Sequence, residues 1–176
     1  MTVFLLPLMA LAACAFSLSA ALHLCVLTGR APTWLPLPLE NYSGALTMGI
    51  FVVWFPAVLL AQRMHPTGSG TFSWRALLAG CPPWMRYAAG GLFIYAFVNF
   101  FLSVQRVADD PLSALRPITG HAMLFYGVAF CIFFSAWRRP RILAQLECPL
   151  GHRLRHGDRF CPECGASVTP ATPGQD

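Results

Sequence analysis

Residues 118–137 read ITGHAMLFYGVAFCIFFSAW and are followed at once by Arg138 and Arg139. Twenty residues without Asp, Glu, Lys or Arg, at 1.5 Å of helical rise each, reach across the ~30 Å hydrocarbon core of a bilayer. The stretch is too long and too uniformly apolar for a surface helix. Three more stretches share its character, at about 3–28, 43–61 and 87–104, and none of them contains an ionised residue. A chain of 176 residues that is 56% hydrophobic and 11% charged, with a mean hydropathy of +0.57, fits a membrane protein better than a soluble domain. The expected fold class is all-α membrane: a four-transmembrane-helix bundle over residues 1–141, followed by a small tail at 142–176.

The first span has no basic region before it, and its apolar run outlasts the h-region of a signal peptide, so it is expected to remain as a helix. All 12 basic residues are arginines, and their placement sets an expected topology. Arg63, Arg75 and Arg86 flank the second loop, and Arg138, Arg139, Arg141, Arg153, Arg155 and Arg159 fill the tail. The other two loops hold Arg30, Arg106 and Arg116. Nine against three places the N-terminus, the second loop and the tail on the cytoplasmic side of a bacterial inner membrane.

Between the spans, Pro32, Pro36 and Pro38 alternate with Trp34 and leucines in the first loop, which resists regular helix and suits the headgroup region. In the second loop Phe72, Trp74, Leu77 and Leu78, with Arg75 among them, predict a short interfacial helix that ends before Pro82 and Pro83. Ala88, Ala89, Gly90, Gly91 and Gly127 predict close helix packing. Pro56 predicts a kink in the second span.

The tail carries the clearest chemistry. Residues 148–165 read CPLGHRLRHGDRFCPECG. Cys161 and Cys164 form a C-x2-C knuckle closed by Gly165, and Cys148 with His152 forms a C-x3-H pair. Cys148, His152, Cys161 and Cys164 thus offer a closed Cys3His set for a structural Zn2+, with His156 as the competing fourth ligand. The segment between the pairs has room for a small β-hairpin turning at residues 156–158. Three thiolates and a neutral imidazole leave the site near −1, which Arg153, Arg155 and Arg159 can offset. A reducing cytoplasm favours metal over disulfide, and the seven cysteines cannot all pair with one another.

The CPLGH and CPECG halves resemble the short zinc ribbons, over about residues 148–168, with a histidine one position later in place of the second cysteine of the first knuckle. The spans, including LTMGIFVVW at 46–54, resemble uncharacterised bacterial four-helix membrane proteins. The zinc-ribbon resemblance implies an adaptor for protein or nucleic acid, and the four-helix resemblance implies no activity. A cytoplasmic protein partner is expected, with the lipid bilayer as the surrounding medium. Nucleic acid is the less favoured partner, since the arginines are accounted for by topology and anionic lipid.

Inside the spans the polar side chains are few. His23 and His121 fall at similar expected depth, and two such histidines on different helices would make a haem- or metal-dependent redox protein the second reading. Hydrogen-bonded histidine is the simpler account of both. Asn99, embedded among Phe97, Phe100 and Phe101, is expected to make an interhelical hydrogen bond or, in a small-solute transporter, to line a path. His65 and Cys81 lie in the second loop with nothing to orient them as base and nucleophile. No intramembrane carboxylate is present to carry proton-coupled work. The expected role is therefore non-enzymatic: a scaffold or regulatory protein that displays a zinc-stabilised module.

Overall fold

The computed structural model describes residues 2–30, 39–64, 73–104, 111–138, 146–154 and 158–168. The elements are α1 (Thr2–Thr28), α2 (Leu39–Met64), α3 (Trp74–Leu77), α4 (Pro83–Val104), α5 (Pro111–Arg138), β1 (Leu146–Glu147) and β2 (Arg153–Leu154). Four of these helices are long and apolar enough to cross a membrane: Phe4–Thr28, Asn41–Met64, Pro83–Ser103 and Ala114–Arg138.

The helices outrun the apolar stretches that announce them. Backbone hydrogen bonding continues through polar residues that a hydropathy reading counts as loop. Helix α2 begins at Leu39, ahead of Glu40 and Asn41, and closes with Arg63 in its last turn, where a cation suits the exposed carbonyl end. Helices α4 and α5 both begin on proline, Pro83 and Pro111, a residue suited to a first turn because its missing N–H has no intrahelical partner there. Helix α2 stays α-helical across Pro56, and α1 across Pro7. The interfacial helix is shorter than its apolar pattern suggests. It is a single turn, α3, capped by the Ser73 hydroxyl accepting the Ala76 amide at 3.3 Å.

Helix α5 is the axis of the bundle, and α1, α2 and α4 each pack against it. In its apolar window 56% of the residues are buried within the protein, against 22–28% in the other three spans. Burial on opposite faces of α5, at Ala122, Tyr126 and Phe133 on one side and at Val128, Cys131 and Ser135 on the other, is what a helix surrounded by neighbours requires. The other three spans turn large side chains outward, among them Phe51 and Phe55 on α2 and Ile94 and Phe97 on α4, a face that matches hydrocarbon rather than water.

Only part of the expected small-residue packing falls inside this bundle. A Cβ on Gly127 would meet Leu92 Cδ1 at 2.8 Å and the Phe16 ring at 3.3 Å, so this glycine lets α1 and α4 close on α5. Ala89 is buried, yet Gly90 and Gly91 meet nothing within 4 Å and face outward. A close approach that the sequence did not signal occurs at Gly49, where an added Cβ would collide with the Tyr126 hydroxyl. That hydroxyl donates to the Leu46 carbonyl at 2.7 Å and ties α5 to α2.

Candidate metal centre

The site is built from two tight turns, each opened by a cysteine and relieved by a glycine. In the first, β1 and β2 pair antiparallel with Leu146 opposite Leu154 and Glu147 opposite Arg153. Between them the Cys148 amide donates to the His152 carbonyl at 3.0 Å, and the Gly151 amide donates to the Cys148 carbonyl at 2.8 Å. Gly151 holds φ at 79°, a left-handed conformation that a side chain disfavours. This turn points the Cys148 sulfur and the His152 ring to the same side.

The second turn repeats the device. The Cys161 amide donates to the Ala166 carbonyl and the Gly165 amide to the Cys161 carbonyl, both at 2.9 Å. Gly165 has φ of 69°. A bridge between Phe160 and Ser167 and a bond from the Val168 amide to the Arg159 carbonyl at 2.8 Å close its base. Arg153 and Leu154 thus pair with Glu147 and Leu146, and Phe160 pairs with Ser167. The strand pairing belongs to the knuckles themselves, so that each cysteine sits at the mouth of its own turn. The expected turn at 156–158 falls largely outside the described residues, as does His156.

The four donor atoms of Cys148, His152, Cys161 and Cys164 all lie within 4.8 Å of one another and can hold a metal ion. Cys148 Sγ lies 3.7 Å from Cys164 Sγ and 3.5 Å from His152 Nδ1, and Cys161 Sγ lies 3.7 Å from the same nitrogen. A tetrahedron with metal–sulfur bonds of about 2.3 Å and a metal–nitrogen bond of about 2.05 Å has edges of about 3.8 Å between sulfurs and about 3.6 Å between sulfur and nitrogen. These three of the six edges fall within about 0.1 Å of those values, and all six lie within 4.8 Å. The donor set could therefore hold a metal ion.

Cys148 and Cys161 are buried while His152 and Cys164 are half-buried. At Cys148, burial opposes ionisation but is outweighed by backbone hydrogen bonds from His152 and Leu150 and by the Cys164 and Cys161 thiols, which bring its pKa down to about 7. Cys164 is pushed the other way. The backbone hydrogen bond from Ala166 favours its thiolate, but burial and the adjacent Cys161 and Cys148 sulfurs prevail. A cluster of thiols at metal-ligand distance shares its negative charge unequally, and a cation at the centre removes the conflict.

One residue of the site escaped the sequence reading. His152 turns Nδ1 toward the sulfurs, and its other ring nitrogen, Nε2, lies 3.6 Å from Glu163 Oε2. Metal-bound histidines commonly present their second nitrogen to a carboxylate, which fixes the tautomer. The signal was the glutamate inside Cys161-Pro162-Glu163-Cys164. Arg159 is exposed, while the side chains of Arg153 and Arg155 lie outside the described residues.

No family model, curated protein or solved structure matches this chain.

Polar residues described in the spans are hydrogen-bonded, some of them across helices. The Thr119 hydroxyl donates to the Leu115 carbonyl at 2.9 Å, so toward His23 Nδ1, 2.8 Å away, it acts as acceptor. His23 Nε2 is then the acceptor for the Tyr95 hydroxyl. Both nitrogens of this buried histidine are thus taken, by α5 and α4 respectively. His121 bonds through Nδ1 to the Pro117 carbonyl at 2.7 Å and stands edge-on to Phe100. The two histidines keep different company, and His23 offers no lone pair to a metal without surrendering Tyr95.

Asn99, 2% exposed, makes an interhelical pair with α5. Its Nδ2 donates to the Arg116 carbonyl at 3.2 Å, and its Oδ1 accepts from Arg116 Nε at 2.9 Å. Gly120 makes room for this cluster, since a Cβ there would strike Asn99 Nδ2. Cys81 is buried, with its thiol donating to the Cys131 carbonyl at 3.1 Å. His65 lies outside the described residues.

Proposed function

We propose that this chain is a non-enzymatic scaffold or regulatory protein of a bacterial inner membrane, whose tail folds as a zinc ribbon and offers that module to a cytoplasmic protein partner. The observation that carries the reading is the convergence of Cys148, His152, Cys161 and Cys164, whose donor atoms all lie within 4.8 Å of one another. Three thiolates and one imidazole suit Zn2+, which has no geometric demand of its own and is commonly held by such sets. Four protein ligands complete the coordination, which points to structure and away from catalysis. Binding of zinc to such a peptide supplies roughly 10 to 16 kcal/mol, enough to order a tail with little apolar sequence.

The nine-to-three distribution of arginines supports a cytoplasmic tail, where zinc is favoured over disulfides. Exposed Leu150 and Phe160, one beside each knuckle, are apolar handles for a protein partner in a module otherwise rich in arginine.

Affinity capture of full-length protein in mild detergent tests the reading. A partner retained by the native chain and lost in the Cys161→Ser and Cys164→Ser variants supports it, provided that metal analysis finds one zinc in the native protein only. Equal recovery with and without the cysteines would overturn the display role. The absorption spectrum of the same preparation tests the redox reading, which needs a Soret band.

A further inference from the structure

Between α3, α4 and α5 runs a groove of about 280 Å³, lined by Trp74, Arg86, Ala89, Gly90, Phe93 and Val128 among others. Its floor is open at Gly90, where an added Cβ would meet nothing within 4 Å. Its walls are apolar except at one end, where Arg86 stands. The fold holds Arg86 there deliberately: Nε donates to the Cys81 carbonyl and Nη2 to the Ala79 carbonyl, both at 3.0 Å. Two of the five guanidinium N–H groups are thereby spent on fixing the fork in place, and Arg86 is exposed.

The surroundings share its charge. Arg63 closes α2, Arg138 closes α5 and Arg75 lies exposed on α3, all at the end of the bundle where α4 begins. From Arg86 to Phe93 the groove follows α4 for about 10 Å, which is about a third of a hydrocarbon leaflet pair. An occupant must therefore carry a negative head and an apolar tail.

We propose that this groove holds one anionic phospholipid. The phosphate rests on the Arg86 fork, to which it is matched in shape and charge. The half-exposed Trp74 indole lies at headgroup level. One acyl chain runs over Ala89, Gly90 and Phe93. Basic recesses between spans on the cytoplasmic side suit such headgroups. The site is independent of the metal centre.

Native mass spectrometry of the full chain, exchanged into micelles with equal phosphatidylglycerol and phosphatidylcholine, is the test. One phosphatidylglycerol should be retained over phosphatidylcholine by roughly fivefold or more. Gly90→Phe puts a side chain into the groove at a position where an added Cβ meets nothing within 4 Å, and should abolish retention while leaving the zinc content unchanged, with the thermal midpoint as the control for folding. Arg86→Gln should erase the preference between headgroups. Equal retention of the two lipids by the native protein, or undiminished retention by Gly90→Phe, would overturn the assignment.

Discussion

His152 Nδ1 stands 3.5 Å from Cys148 Sγ, four residues back along a turn whose amide and carbonyl groups already bond to each other. Each half of the candidate centre is thus set by its own backbone hydrogen bonds, and a bound ion would tie the two halves together. Cys161→Ser should therefore abolish zinc binding under purification conditions, measured as zinc per chain by mass spectrometry. It should leave the helical circular dichroism of the spans unchanged, because α1 to α5 share no ligand with the tail.

Glu163→Gln probes the outer contact on His152. With 3.6 Å between Nε2 and Oε2 and the carboxylate 64% exposed, the effect belongs at the low end of the range for such partners, about tenfold in zinc affinity. Competition with a chromophoric chelator measures it. An unchanged affinity would remove Glu163 from the site.

The pH dependence follows from the cysteines. Cys148 in the metal-free fold has its pKa lowered from 9.0 to about 7. A depressed acid contributes stability above the ordinary value near 9.0, and that contribution is lost as pH falls through about 7. Alkylation of the metal-free protein should accordingly label Cys148 with a half-maximal rate near pH 7, while Cys164, shifted upward, reacts only at higher pH. Peptide mapping by mass spectrometry distinguishes the two.

Gly49→Ala tests the α2–α5 contact. The added methyl would collide with the Tyr126 hydroxyl, and forcing atoms into a filled site costs about 1 to 3 kcal/mol. The thermal midpoint in detergent should fall. Gly91→Ala, with nothing within 4 Å, should leave it unchanged.

Asn99→Leu removes both partners that Asn99 gives Arg116. Such intramembrane bonds are worth about 0.6 kcal/mol on average and about 1.7 at most, so a small loss of thermal stability is expected. A transporter with Asn99 on its path would instead lose flux at unchanged stability.

The sequence by itself determined four apolar helices and a cluster of three cysteines with a histidine beside them, His152 or its rival His156, because both are local in character. A span needs only about 20 consecutive residues without charge, and a knuckle needs only a cysteine, a second donor three or four positions on, and a glycine for the turn. The ends of the helices were less legible, since polar residues such as Glu40 and Asn41 continue a helix that hydropathy cuts short. Tertiary structure alone decided that α5 is the axis, that Gly127 is packed while Gly90 and Gly91 stay open, and that His23 spends both nitrogens on Tyr95 and Thr119. Those partners lie 72 and 96 residues from His23. No period or motif in a single chain encodes which of several apolar faces will meet. That choice is made by side-chain shape and by the few hydrogen bonds that lipid cannot satisfy.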